Sequence, residues 1–211
     1  MIFLCPRIAS KWEIRYFHAM TAIAVKDLRI SPEEYLKEEL VASQKHEYVA
    51  GAVFAMAGNS RNHNEIAANL LSILRGHLKG KQCSALGSDM KLKVSAAWGE
   101  AFYYPDVTVA CDPTDRSEYF LERPTIIFEI LSPSTETVDR REKRVAYTTI
   151  PSLEVYVLIE QDRIEGTAYR RTDNGWAGEI ITGADVILKL APIQLDIRLG
   201  DLYDGTTVRF D

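Results

Sequence analysis

Two carboxylates stand where hydrocarbon would pack better. Asp106 heads the apolar stretch Tyr103–Cys111, and Glu129 lies inside Thr125–Leu131. An ionised carboxylate in an apolar setting costs on the order of several kcal/mol unless a cation or hydrogen-bond donors meet it. Side chains alternate along a strand, so the two acids can project toward one spot if their segments are neighbours in a sheet. Adjacent carboxylates repel unless positive charge lies between them. Mg²⁺ suits such a pair: it takes hard oxygen ligands, is often held by one or two carboxylates plus waters, and bridges to phosphate. Lys143, on the helix expected after the second strand, adds a point charge for an attacking water or a phosphate oxyanion. Ordinary readings exist for each acid alone, a turn aspartate after Pro105 or an ion pair between Glu129 and an arginine. They leave the matched placement ahead of a basic helix unexplained.

The elements that must position these groups are readable from pattern. Ser31 followed by Pro32, Glu33 and Glu34 is a helix start and predicts a helix near 32–42. HEYVAGAVFAMAG, residues 46–58, suits a hairpin-like strand pair around Gly51. Ile66, Leu70, Leu71, Leu74 and Leu78 form one apolar stripe on a helix from Asn62 to about Lys79, stopped by Gly80. Met90, Leu92 and Val94 alternate with Lys91 and Lys93, as in a half-exposed strand. The stretches carrying Asp106 and Glu129 are more continuously apolar and read as central strands covered on both faces. Ser132–Thr135 supply turn and cap chemistry for a helix with Val138, Val145 and Ala146 on its apolar side, ended by Pro151. These serines lack a GxSxG context and are not read as nucleophiles. Residues 153–160 and 163–171 look like a hairpin, TDNGW holds an Asn-Gly turn, and RLGDLYDG is a short terminal helix or turn. Tyr147 and Tyr156 read as core or interface aromatics. The order predicts an α/β (mixed α+β) protein, a mixed sheet flanked by helices with extra β-hairpins.

Composition narrows the class. At 211 residues, 46% hydrophobic and 26% charged, with no linker-like stretch, the chain reads as a single domain over 20–211. Residues 1–19 are irregular in pattern and read as an N-terminal extension, with Met20 as the alternative to an over-called start at Met1. No apolar run approaches the roughly 20 residues of a membrane helix. Cys5, Cys83 and Cys111 are odd in number without CxxC spacing, so neither a disulfide framework nor a zinc site is expected, and the expected location is a reducing cytoplasm. A formal net charge of −5 argues against non-specific coating of nucleic acid. Positive charge clusters locally in Arg140, Arg141, Lys143 and Arg144, and in Arg75, His77, Lys79 and Lys81.

YPDVTV and IIFEILSPSTETVDRREK resemble the PD-(D/E)XK nuclease superfamily, and more narrowly its bacterial branch of restriction-endonuclease-like domains formerly of unknown function. The resemblance covers about residues 31–205, including EYVAGAV and RNHNEIAANL. The superfamily pattern places lysine two residues after the acid, where this chain has Leu131; the resemblance implies that Lys143 on the following helix takes that role. It further implies a restriction-endonuclease-like mixed sheet and a Mg²⁺-dependent endonuclease, with Mn²⁺ as a substitute ion, hydrolysing DNA phosphodiesters. Asp106, Glu129 and the Ile130 carbonyl would hold metal, and Glu47 would hold the metal's water. His63, by its place at a helix start, is an accessory candidate at a phosphate, a surface or capping histidine being the commoner case. A homodimer follows by analogy. The displaced lysine and acidic charge motivate an alternative, a catalytically inactive DNA-binding or regulatory homodimer on the same fold.

Overall fold

The computed structural model describes residues 29–132 and 138–209, with the side chains of 138–140 excepted. The expectations for residues 1–19, Met20, Ser134 and Thr135 lie outside the described residues. Contacts divide the chain into two units, one ending at Met56 and the other starting at Ala57.

The first unit holds helix α1 (Pro32–Glu39) and strands β1 (His46–Val49) and β2 (Ala52–Ala55). Ser31 caps α1 by accepting from the Glu34 amide at 3.1 Å, with Pro32 at the first helical position. The helix ends at Glu39 rather than near residue 42, because Glu39 turns inward: its carboxylate accepts from the His46 amide at 2.9 Å and lies 3.0 Å from His46 Nδ1. Tyr35 donates to the His46 carbonyl at 2.6 Å, fixing helix to hairpin. The hairpin pairs Val49 with Ala52, and its two turn residues, Ala50 and Gly51, have φ of 47° and 97°. Positive φ at both positions is what a tight hairpin turn demands, and glycine supplies the more extreme value without strain.

In the second unit, helix α2 (Arg61–Leu78) is capped by Ser60, whose hydroxyl accepts from the His63 amide at 3.1 Å. Its apolar stripe, Ile66, Leu70, Leu74 and Leu78, is fully buried. Strands β3 (Ser84–Gly87), β6 (Val107–Ala110), β8 (Pro124–Leu131), β9 (Val155–Glu160), β10 (Glu165–Thr172) and β11 (Gly175–Thr182) form a six-stranded sheet in the order β11-β10-β9-β8-β6-β3. Only β8 and β9 run parallel. Every residue of β8 is buried, as a strand covered on both faces must be. Val107, Val109, Ile126, Phe128, Ile130, Val157 and Ile159 pack toward the α2 stripe. The alternate residues of β8 and β9, Glu129 and Tyr156 among them, face the other side, where Tyr147 rests edge-on against Tyr156 at 5.4 Å. Strands β4 (Lys91–Ala96), β5 (Gly99–Tyr103) and β7 (Phe120–Leu121) make a second set, β4 antiparallel to β5 and parallel to β7. A hairpin of β12 (Ile187–Leu190) and β13 (Leu195–Arg198) and a 3₁₀ turn over Leu199–Tyr203 close the α2 side of the core.

Four expectations are corrected. The stretch Tyr103–Cys111 is two strands, because Pro105 lacks the N–H a continuous ladder needs and Tyr104–Asp106 form a break. Lys91 is buried instead of solvated, its Nζ 3.3 Å from the Tyr104 hydroxyl and 5.3 Å from the ring centroid. The segment after residue 137 begins as a π-helix (Val138–Lys143) and continues as helix α3 (Arg144–Thr148), with Val145 exposed and Ala146 and Tyr147 inward. Cys83 and Cys111 form a disulfide with Cα atoms 4.0 Å apart. They flank the ladder pair Ser84–Ala110, so antiparallel register sets them face to face, a relation that spacing along the chain cannot reveal.

Candidate active site

The antiparallel pairing of β6 with β8 matches Val107 to Phe128, and one further step sets Asp106 across from Glu129. The two acids are therefore brought together by register. Asp106 is held at both oxygens: Oδ2 accepts from the Ile130 amide at 2.7 Å, and Oδ1 lies 2.8 Å from His63 Nε2. With its proton on Nε2, His63 donates to the carboxylate, and Nδ1 is left as a buried acceptor without a hydrogen-bond partner among the described residues. Asn59 Nδ2 also stands 3.0 Å from Nε2, at the entry to α2.

Glu129, 3% exposed, accepts from the Tyr147 hydroxyl at 2.9 Å and pairs with Lys143 Nζ at 3.3 Å through the same oxygen, Oε1. Lys143 is 5% exposed, and its ammonium also lies 5.7 Å over the Tyr103 ring. Thus one cation of the basic segment 140–144 is folded inward onto the acid. The Tyr103 ring meets Tyr147 edge-on at 5.5 Å, locking the phenol that serves Glu129. Tyr147 is a site residue that the sequence reading assigned to packing. The signal was present: positions 143 and 147 are one helical turn apart and share a face.

The site sits at the carboxyl ends of the parallel pair β8 and β9, beside the amino end of α2. Ser60 donates to the Gln161 side chain and Asn62 Nδ2 to the Gln161 carbonyl at 3.3 Å, tying the helix start to the end of β9. Tyr203 donates to the Glu160 carbonyl at 2.8 Å; burial pushes its phenol far up, so it stays a neutral donor. Glu47 lies on β1 opposite Phe54, within the first unit.

The donor set fits a hard divalent cation: two largely buried carboxylates carried next to each other by β6 and β8, with the backbone of Ile130 beside Asp106. Both Asp106 oxygens keep a second lone pair beyond the hydrogen bonds they accept. Among the described residues no three His, Cys, Asp or Glu side chains are grouped to enclose a metal, so backbone, water or substrate oxygens would complete the shell. No described helix is long and apolar enough to cross a membrane.

Comparison with known proteins places this geometry in context. Two proteins of Synechocystis, known as uncharacterized proteins slr1290 and sll1609, are each 36% identical to the chain, over 178 and 135 residues. The matches span 84% and 63% of this chain, and 93% and 75% of the relatives. A crystal structure described as a putative nuclease belonging to DUF820, from Anabaena variabilis, superposes with a TM-score of 0.67 at 19% identity, covering 82% of this chain and 97% of that one. The fold is accordingly restriction-endonuclease-like. The family model described as "Uma2: Putative restriction endonuclease" matches residues 32–200, and the chain belongs to that family.

Proposed function

We propose that the protein is a metal-dependent endonuclease that hydrolyses DNA phosphodiester bonds at the Asp106–Glu129 site. The observation that carries this reading is the convergence of Asp106, Glu129 and Lys143, three groups far apart in sequence, at the carboxyl end of the parallel strand pair. Asp106, Glu129 and the Ile130 carbonyl would hold a Mg²⁺ or Mn²⁺ ion, which when bound would supply Lewis acidity and lower the pKa of a water. Lys143 sets a fixed positive charge beside the developing oxyanion, in a site already screened from bulk water. Tyr147 and Lys143 hold the Glu129 carboxylate in one orientation, and His63 with the Ile130 amide does the same for Asp106. DNA is the proposed substrate, and a homodimer acting on two strands the proposed assembly.

Plasmid DNA incubated with purified protein and Mg²⁺ is expected to be nicked or cut. Glu129→Gln, which keeps shape and the Tyr147 contact, is expected to lower the rate at least about 100-fold. Equal cleavage by the variant would place the activity elsewhere. One observation favours a second reading, a DNA-binding protein that does not cut: both Asp106 oxygens and one Glu129 oxygen already have protein donors. DNA retention without cleavage in any divalent metal, and no heat of metal binding, would establish that reading.

A further inference from the structure

The geometry points to a thiol–disulfide exchange site at Cys83–Cys111, served by a basic cleft that takes a small anionic thiol. Cys83 lines a cleft of about 410 Å³ with Arg75, Leu78, Lys79, Ser84, Ala85 and Leu86. Arg75 in the last turn of α2 and Lys79 at its C-cap are both solvated, and neither makes an ion pair or hydrogen bond among the described residues. The disulfide is half-buried and lies at the edge of the six-stranded sheet, since β3 has a partner on one side only. A disulfide serving as a core staple needs neither a cleft nor flanking cations.

Cationic neighbours raise the local concentration of an anionic thiolate and stabilise thiolates once formed. The incoming thiolate attacks Cys83 Sγ, a new S–S bond forms to the small thiol, and the Cys83–Cys111 bond breaks with its electron pair leaving on Cys111. A second thiolate then attacks the small-molecule sulfur of the mixed disulfide and releases Cys83 as a thiolate beside Arg75 and Lys79. Two thiols are oxidised to one disulfide and the protein gains two thiols after protonation. Exchange opens the link across a 28-residue separation that includes Asp106, so β6 is freed at the end opposite its acid.

The test uses the full chain. Intact mass spectrometry and thiol titration of the air-purified protein are expected to find one disulfide, and a reduced protein after aerobic purification would overturn the proposal. Reduction is then timed with 3-mercaptopropionate and with cysteamine, an anionic and a cationic thiol, each rate corrected for its thiolate fraction. The anionic thiol is expected to gain about fivefold for each cation it meets, with a mixed disulfide trapped on Cys83 when thiol is limiting. In Arg75→Gln/Lys79→Gln that gain is expected to vanish while the melting curve is unchanged. The same preference ratio in the double variant, or reduction only after denaturation, would overturn the proposal. The readout is independent of DNA cleavage, so the exchange site and the nuclease reading stand or fall separately.

Discussion

Glu129 concentrates three kinds of interaction in one carboxylate: a phenol donor, an ammonium and strand burial. Removing the phenol alone should reveal how far orientation matters. Tyr147→Phe is expected to lower stability by about 1 kcal/mol and the cleavage rate by about 10–100-fold, with Tyr103 and Tyr156 still packed on the ring; urea unfolding and plasmid nicking measure the two. A different carboxylate bears on stability in acid. The Thr114 hydroxyl and amide, with Arg123, hold Asp112 down from 3.8 to about 2. A folded pKa depressed in this way contributes stability that is present above the unfolded value and is lost as pH falls through the folded one. Asp112→Asn is therefore expected to be less stable than the parent at pH 6, with the gap closing between about pH 4 and pH 2. Denaturation midpoints across that range check the sign.

At the scale of elements, tolerance is narrow between β9 and β10. A Cβ added at Gly166 would meet the Leu158 carbonyl oxygen at 2.9 Å, and Leu158 is the ladder partner of Glu129. Gly166→Ala is expected to cost about 1–3 kcal/mol and to reduce cleavage by shifting β9, measured by unfolding and nicking on the same preparation. These elements differ in how openly the chain announces them. Helix α2 and the strand carrying Glu129 were legible because amphipathic period and unbroken apolarity are local properties. The nearness of Asp106 and Glu129 was legible only on the condition that their segments are sheet neighbours, which the pairing of β6 with β8 meets. The break at Pro105, the inward turn of Lys91 and the bond between Cys83 and Cys111 were not legible, because each depends on which strands lie side by side. Tyr147 falls between: its helical spacing from Lys143 was visible, but its hydroxyl acquires meaning only when Glu129 lies opposite.

At the scale of the molecule, each chain carries one copy of the site, so the strand count of the product reports assembly. A monomer releases nicked circles, whereas a two-fold dimer delivers two sites to opposite strands. The expected outcome is linear product appearing only at concentrations where sedimentation gives twice the chain mass, with nicked product below them. For the proposed dimer to act in this way, the spacing of the two acids has to survive association unchanged. The hydrogen bond from the Ile130 amide to Asp106 supplies that rigidity, because the first acid is fastened to the main chain of the strand that bears the second. The spacing of the pair is thereby set by sheet pitch at the aspartate and by the Tyr147 and Lys143 contacts at the glutamate. Loops and outer faces can then diverge to meet different targets while the gap between the acids keeps its calibration.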